Sequence, residues 1–331
     1  MVRLRRALRD DLTVRRVRRG RGWSYVDAGG NVIRDAELYA RARALGIPPA
    51  WTEVRISPDP RHHIQALGTD AAGRMQYIYH ADWEARRTRR KQQQLALLSS
   101  SLPRIRRKVR EDLDGEAGSK RLALALGVAL IDRTAMRVGR ERYLDANGTR
   151  GAGTLFSRDV TVKGDVVRIR FPAKSGKTAD YVVTDARLAE AVRKVKTVRG
   201  ARLLMYRNGG DQPKAIRTDD LSRYLREIAG VPVTAKDFRT LHASALAAEA
   251  LARLEPAGSA SGRKRQMAAV TRQVATFLQN TPAICRASYV APCLYALFDK
   301  GKLAEMWASV SETHGLRQRE ARLTGVLASA G

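Results

Sequence analysis

The sequence predicts an α+β protein, with a small β-rich N-terminal domain over residues 1–85 and a mainly α-helical domain containing a small β-sheet over residues 86–331. Short alternating runs separated by glycine turns fill residues 22–80, whereas apolar residues at helical spacing dominate the chain after Ala81. A hairpin pattern at residues 160–171 places the small sheet inside the helical part. The 331 residues are enough for two domains with separate cores.

The N-terminal domain is predicted from its strands and turns. Residues 22–27 form a predicted strand followed by a glycine turn, and a proline pair further on marks a structured bend. Residues 64–70 and 76–79 lie on either side of a turn at Gly73, which predicts a hairpin. The preceding segment, residues 3–21, is strongly basic, and we expect it to be a mobile or edge segment that attracts phosphate.

The helical domain begins with a basic, glutamine-rich helix over residues 83–98, which is predicted to connect the two domains. Residues 120–138 carry apolar side chains at helical spacing and predict a buried helix. The small sheet follows, with a second turn at residues 175–176, and the chain is helical after about residue 218. The last predicted helices are an alanine-rich helix at 241–254, a helix at 264–278 and an amphipathic tail helix within 303–331.

Charge points to a polyanionic partner. The chain has 62 Lys and Arg against 33 Asp and Glu, a net charge of +29, and the basic residues run along its whole length. Such an excess destabilises a compact chain by self-repulsion unless an anion offsets it, so DNA or RNA is the leading partner. Two cysteines are too few for a disulfide framework or a zinc site. We expect a cytoplasmic protein without a signal peptide or a membrane span of ~18 apolar residues.

A short C-terminal segment combines an amide and a phenol. Asn280 and Tyr289 stand nine positions apart, beside Arg286. Cutting a phosphodiester without metal requires a nucleophile, cations or amide donors for the non-bridging oxygens, and an acid for the leaving alkoxide. A phenol among suitable cations can serve as the nucleophile. We find no metal-ligand spacing and no glycine-rich phosphate loop, so neither Mg²⁺ nor ATP is implied.

Each candidate also has a structural interpretation that its own position leaves open. Arg137 could cap the last carbonyls of its helix, Arg239 could pair with Asp237 or Glu249, and Tyr289 could simply pack. The other candidates with such alternatives are Lys174 and Lys177 as solvated turn residues, Tyr77 and Tyr79 as core residues, and His242 as a structural histidine.

The order and spacing of the motifs decide between these interpretations. Four motifs follow one another: AMRVG at 135–139 before Tyr143, FPAKSGK at 171–177, KDFRT at 236–240, and NTP…RASY at 280–289. Together they resemble the type IB DNA topoisomerases, specifically the short poxvirus-like bacterial branch. A further match at residues 70–79 resembles the DNA-contacting hairpin of that family, so the resemblance covers nearly all of residues 20–302.

The resemblance implies the DNA breaking-rejoining fold that these enzymes share with tyrosine recombinases, and it implies a role for each matching residue. Tyr289 would attack the DNA and hold the 3′-phosphate covalently. Arg137 and Arg239 would stabilise the transition state, and Lys174 would protonate the leaving 5′-oxygen. Lys236 would assist binding or proton transfer.

The resemblance also implies the partner and the DNA contacts. The protein would act as a monomer on duplex DNA, preferentially supercoiled, within the nucleoid, and the N-terminal domain would form part of a clamp around the duplex. The predicted DNA-binding residues are Gln76, Tyr77, Tyr79, Arg140, Tyr143 and Lys177.

One position departs from the family pattern. Many members carry His where this chain has Asn280, and an amide can donate a hydrogen bond to a phosphate oxygen but cannot shuttle a proton. Two alternatives to a topoisomerase remain: a tyrosine recombinase and a DNA-binding protein without activity. Recombinases usually place His where Lys236 stands and carry a helical N-terminal domain, whereas this one is predicted to be β-rich.

Overall fold

The computed structural model describes residues 3–173, 176–209, 212–310 and 317–329. The chain divides into two compact units, residues 1–90 and 91–331. Each unit has its own apolar core.

The first unit is built on a five-stranded antiparallel sheet with one helix. The strands lie in the order β2-β1-β3-β4-β5, so β1 pairs with a neighbour on each side. The bounds are β1 Val14–Arg19, β2 Gly22–Val26, α1 Ala36–Ala44, β3 Thr52–Ile56, β4 Ile64–Thr69 and β5 Met75–Tyr79.

The prediction that residues 3–21 form a mobile or edge segment is wrong, because β1 lies inside the sheet. Burial alternates at its start, with Val14 buried, Arg15 exposed and Arg16 buried. The Arg16 guanidinium packs over the Trp23 ring at 4.1 Å and donates to the carbonyls of the proline bend, including Trp51 O at 2.8 Å. The sequence cannot distinguish Arg16 from a solvated arginine, because its burial depends on an aromatic ring and main-chain carbonyls elsewhere in the fold.

The sheet has helix α1 on one face and the N-terminal segment on the other. Asp35 caps α1 by accepting hydrogen bonds from Glu37 N and Leu38 N. The α1 side of the sheet is filled by an apolar cluster that includes Tyr25, Ile56 and Ala66. The opposite side carries a smaller cluster of Ala7, Leu12 and Leu67, with Ile64 and Tyr77 packed against it.

The second unit is mainly helical. Its first helix, α2, spans Ala81–Leu113 and includes the boundary between the units. The other helices are α3 Lys120–Thr134, α4 Glu141–Asn147, α5 Ala186–Lys196, α6 Thr218–Ala229, α7 Ala235–Ala252, α8 Ala260–Leu278, α9 Pro282–Ser288, α10 Pro292–Asp299, α11 Leu303–Ala308 and α12 Gln318–Ser329.

Helix α3 is the central helix of the second unit. Twelve of its residues are buried, from Leu122 to Thr134, as a helix that is apolar on all sides requires. It is shorter than the predicted helix over 120–138, because Ala135 ends it in the left-handed conformation with φ 54°. Residues 135–140 therefore form a loop, and Arg137 lies in this loop and not on the helix.

Two small sheets complete the second unit. The strands β6 Val160–Lys163, β7 Val166–Pro172 and β8 Thr178–Thr184 form an antiparallel sheet in that order. Residues Phe171 and Ala179 pair near its end. The predicted second turn at residues 175–176 includes Ser175, which lies outside the described residues. Strands β9 Met205–Arg207 and β10 Pro213–Ala215 form a separate hairpin.

A buried ion-pair network fixes helix α12 to the helical core. The Arg106 guanidinium on α2 donates to Asp132 on α3 and to Glu320 on α12, with four N···O distances between 2.7 and 3.0 Å. Both carboxylates are almost fully buried. Of the helices that the structure describes, none is long and apolar enough to cross a membrane.

Candidate active site

The loop that carries Arg137 is held in a narrow space. Gly139 has φ 77°, and a Cβ placed on it would lie 2.3 Å from Thr154 Oγ1. A Cβ on Gly151 would lie 2.3 Å from the carbonyl oxygen of Arg137. Thr218 Oγ1 donates to Gly139 O at 2.9 Å. Glycine is therefore required on both sides of the contact, and the close packing fixes the main chain of Arg137.

The Arg137 side chain is half-buried, and its guanidinium makes no hydrogen bond or ion pair within the described residues. Burial lowers its pKa, the Arg239 guanidinium lowers it further, and Tyr289 and Tyr181 act in the opposite direction. These four side chains therefore lie near one another. A half-buried cation with free donors is suited to bind an anion.

Arg239 lies on α7 and is 3% exposed. Its terminal nitrogens donate to Ala135 O, at the end of α3, and to Leu278 O, at the end of α8, the latter at 3.0 Å. Its Nε is buried without a partner in the described structure. The alternative pairing with Asp237 or Glu249 is wrong, because Asp237 caps α7 at Thr234 and Glu249 pairs with Arg253.

Tyr289 stands directly after helix α9 and faces cations. Thr281 caps α9 through its hydroxyl, Pro282 is the first helical residue, and Tyr289 N donates to Cys285 O at 3.0 Å. The Arg239 Cζ lies 5.1 Å from the centre of the Tyr289 ring, and the Lys236 Nζ lies 6.0 Å from it. Tyr289 is therefore adjacent to two of the predicted site residues, Arg239 and Lys236, and it acts to raise the pKa of a third, Arg137.

Asn280 lies at the other end of α9. It follows Gln279, which ends α8 in the left-handed conformation with φ 50°. Its side-chain oxygen accepts a hydrogen bond from Thr281 N at 3.1 Å, while its amide nitrogen makes no hydrogen bond within the described residues. This orientation leaves the amide N–H groups as the free part of the side chain, which is the part a phosphate oxygen could accept from.

The main chain after Tyr289 is held by two side chains that no sequence motif singles out. Ser244 Oγ on α7 donates to Tyr289 O at 3.1 Å and accepts from Ala291 N at 3.0 Å. Lys91 Nζ on α2 donates to Val290 O at 3.0 Å. Both interactions go to backbone atoms across a long sequence separation, so no motif or spacing could have indicated them.

The strand β8 contributes a tyrosine that sequence reasoning also missed. Burial raises the pKa of Tyr181, and the guanidiniums of Arg239 and Arg137 act against this. The alternation of β8 was visible in the sequence, and it could have placed Tyr181 on the inner face. Lys174 lies outside the described residues. Lys177 is exposed, and its carbonyl accepts from Ala173 N at 2.7 Å.

A basic groove lies next to the Arg137 loop. It has a volume of about 1450 Å³ and includes Arg140 and Lys236 in its lining. Arg202, Lys214 and Arg217 add further positive charge, although Arg202 is paired with Glu141. Tyr143, on α4, is 47% exposed, and the Arg142 guanidinium packs over its ring at 4.7 Å. Most of the groove's cations thus face solvent.

The first unit holds the other predicted DNA-binding residues. Tyr77 and Tyr79 stack with ring centres 6.0 Å apart, and Arg87 lies over the Tyr79 ring at 5.1 Å. Both tyrosines are half-buried, so part of each ring is accessible. Gln76 is held by Asp70, to which its amide donates at 2.8 Å.

Asp132, His242 and Glu320 place donor atoms within 4.8 Å of one another, a spacing that a metal could use. Here the Arg106 and Arg317 guanidiniums both pair with Asp132 and Glu320, so two cations face the two carboxylates. His242 Nε2 donates to the Asp132 carbonyl at 2.8 Å, and burial lowers the pKa of its imidazole. The group is an ion-pair network, and the hydrogen bond of the buried His242 to a main-chain carbonyl supports its structural interpretation.

Comparison with known proteins gives two family matches and one relative. Residues 80–292 match the family model of the eukaryotic DNA topoisomerase I catalytic core, and residues 22–70 match that of the bacterial DNA topoisomerase IB N-terminal domain. The chain is 29% identical over 257 residues to a protein named DNA topoisomerase 1B from Acanthamoeba polyphaga mimivirus, covering 76% of each chain.

Proposed function

The chain belongs to the type IB DNA topoisomerase family, and we propose that it relaxes supercoiled duplex DNA by cutting one strand with Tyr289, allowing rotation and resealing the strand. DNA is its partner, since the family acts on DNA. The observation that supports the proposed site best is the position of the Tyr289 phenol beside Arg239 and Lys236, in the neighbourhood of the free Arg137 guanidinium.

In the proposed reaction, the Tyr289 phenol releases its proton to water, its oxygen attacks phosphorus, and the bond from phosphorus to the 5′-oxygen breaks. The DNA 3′-phosphate becomes esterified to Tyr289, and Lys174 gives a proton to the leaving 5′-oxygen. One phosphodiester replaces another, so the ester between Tyr289 and DNA conserves the free energy of the broken bond. Resealing therefore needs no nucleotide. Torsion in the supercoiled duplex drives the rotation while the ester holds one end.

The two arginines have different proposed roles. Arg137 has free donors, and its fork can bind two oxygens of the scissile phosphate. The terminal nitrogens of Arg239 already donate to main-chain carbonyls, so its contribution comes from its charge and its unpartnered Nε. Asn280 donates to a non-bridging oxygen through its free amide N–H. Donors placed in advance in this way stabilise the charge that develops at phosphorus.

DNA binding is proposed to involve both units. In the second unit, the proposed contacts are the exposed residues Arg140, Tyr143 and Lys177, which lie between Arg137 and Arg239 in the sequence. In the first unit, the stacked Tyr77 and Tyr79, with Gln76, form the proposed contact surface of the DNA clamp over residues 1–85. We further propose that the protein acts as a monomer on chromosomal DNA in the nucleoid.

A plasmid assay separates this proposal from its alternatives. Supercoiled plasmid incubated with the protein in EDTA and without ATP should be relaxed through a ladder of intermediates. Paired-site strand exchange without relaxation would indicate a recombinase, although the Lys at position 236 and the β-rich first unit do not favour that alternative. Relaxation by Tyr289→Phe as fast as by wild type would contradict the assignment of the nucleophile.

A further inference from the structure

We propose that Lys91 is a positioning residue for the nucleophile: its ammonium holds the main chain immediately after Tyr289 and so fixes the approach of the phenol to phosphorus. The inference rests on the proposed function, in which Tyr289 attacks DNA. Lys91 lies outside the sequence motifs, on α2, 199 positions from the residue it contacts.

The contact is to the residue next to the nucleophile. Lys91 Nζ donates to Val290 O at 3.0 Å, and Val290 is fully buried. On the other side, the N–H groups of Tyr289 and Val290 both donate to Cys285 O at 3.0 Å. The Tyr289 carbonyl accepts from Ser244. The peptide groups around Tyr289 are thus held by residues of α9, α7 and α2. Of these three helices, α7 and α9 contain residues of the four sequence motifs and α2 does not.

Lys91 has no carboxylate partner in the described structure. It is half-buried, and the titratable groups that act on it are Lys236, on α7, and the Cys293 thiol, on α10. Burial and the charge of Lys236 lower its pKa to about 8. A half-buried ammonium without an acidic partner is unfavourable for stability, and an apolar side chain would avoid that penalty. The hydrogen bond to Val290 O explains why an ammonium occupies this position: it holds the main chain next to Tyr289.

The geometry distinguishes positioning from proton transfer. The donor bond that the structure shows for Lys91 goes to a main-chain carbonyl and not toward the space beside the phenol. A positioning residue should affect cleavage and religation alike, since the phenol oxygen follows the same path in both directions. A proton donor to the 5′-oxygen should become dispensable when that oxygen is replaced by sulfur, because a thiolate leaves without a proton.

The test compares Lys91→Met with wild type on a labelled suicide duplex, at saturating enzyme and in single turnover. Methionine keeps an unbranched stem and removes the donor. We expect cleavage and religation to slow by the same factor, on the order of 10-fold or more, with an unchanged defect on a 5′-thio duplex. Lys91→Arg keeps a donor and should restore most of the rate. If thermal unfolding shows that the methionine variant is not folded, Lys91→Gln replaces it in the same test.

Arg90→Met is the matched control, because it removes the same charge from an adjacent, exposed position of α2. It should leave the single-turnover cleavage rate at saturating enzyme unchanged. Wild-type rates for Lys91→Met, or a defect that disappears on the 5′-thio duplex, would overturn the inference while leaving the proposed function intact. Failure of wild-type protein to form any adduct would instead overturn the proposed function and the inference with it.

Discussion

At the scale of single residues, the two site arginines differ in what already holds them. Arg239 connects the ends of α3 and α8 through carbonyl contacts, so it organises the two loops from which Arg137 and Asn280 project. The Arg137 guanidinium makes no hydrogen bond within the described part of the chain, and the charge of Arg239 acts on it. The proposed roles of the two arginines therefore differ: Arg239 holds main-chain carbonyls, and Arg137 binds the phosphate. The motifs in the sequence do not reveal this difference.

Asn280 is the residue at which the account can be tested most informatively. If its role is to donate one hydrogen bond, Asn280→His should retain cleavage, because imidazole can also donate. Asn280→Ala should slow covalent attachment by on the order of 10²-fold, the usual effect of losing one such donor. The measurement is the single-turnover rate of adduct formation at saturating enzyme. An alanine variant that cleaves at the wild-type rate would remove Asn280 from the site.

Sequence reasoning selected Lys236, Arg239 and Tyr289, which lie close together, because the family motifs contain them. It could not identify Lys91 and Ser244, since both act on backbone atoms of a distant segment. It also missed Tyr181, whose relation to Arg137 and Arg239 depends on the packing of β8. Local patterns contain no information on such contacts between distant parts of the chain.

At the scale of elements, two helices end in the same backbone conformation. Helices α3 and α8 each end at a non-glycine residue in the left-handed conformation, Ala135 with φ 54° and Gln279 with φ 50°. A residue of the site follows each of them within two positions. The left-handed conformation costs a non-glycine residue about 1–2 kcal/mol, so packing must hold both turns in place, and the carbonyl contacts of Arg239 lie at these two ends.

The Arg137 loop should be sensitive to a single methyl group. Gly139→Ala places a Cβ 2.3 Å from Thr154 Oγ1 at a φ of 77°, so the loop must shift and Arg137 with it. We expect adduct formation to fall by at least about 10²-fold, as displacements near 1 Å can do. Gly164→Ala is the control: it has a positive φ of 56° but nothing within 4 Å. It should lower stability slightly and leave the cleavage rate unchanged; equal effects of the two variants would refute the argument.

The predicted bounds of helices and strands were wrong where contacts with distant parts of the chain determine the local structure. The central helix was predicted through 138 because Met136 and Val138 continue its apolar spacing, yet the left-handed Ala135 ends it. Strand β1 was missed because its arginines suggested a solvated segment, whereas Arg16 is buried against Trp23 and carbonyls. The helix predicted over residues 264–278, which lies within α8, and the hairpin of β4 and β5 were predicted correctly because their local spacing determines them.

At the scale of the whole molecule, the net charge of +29 is the dominant property. The groove beside Arg140 and Lys236 shows where part of that charge is exposed near the reaction centre. An excess of this size favours rapid, salt-sensitive association with a polyanion.

Salt dependence gives a quantitative test of one predicted contact. The logarithm of the DNA association constant should fall linearly with the logarithm of salt concentration, and Lys177→Ala should reduce the slope by about 1 if Lys177 neutralises one phosphate. Lys108→Ala is the control, because its ammonium pairs with Glu111 and Asp112. A flat salt response, or the same change of slope in both variants, would contradict the assignment.

The most direct measurement of the central claim is denaturing capture of the covalent intermediate on duplex DNA labelled separately at each end of the cleaved strand. The account predicts that wild-type protein in EDTA forms an adduct through Tyr289 to the 3′-phosphate, leaving a free 5′-hydroxyl. Tyr289→Phe should bind the same duplex and form none. An adduct on the 5′ end, or one that persists in the phenylalanine variant, would contradict the account.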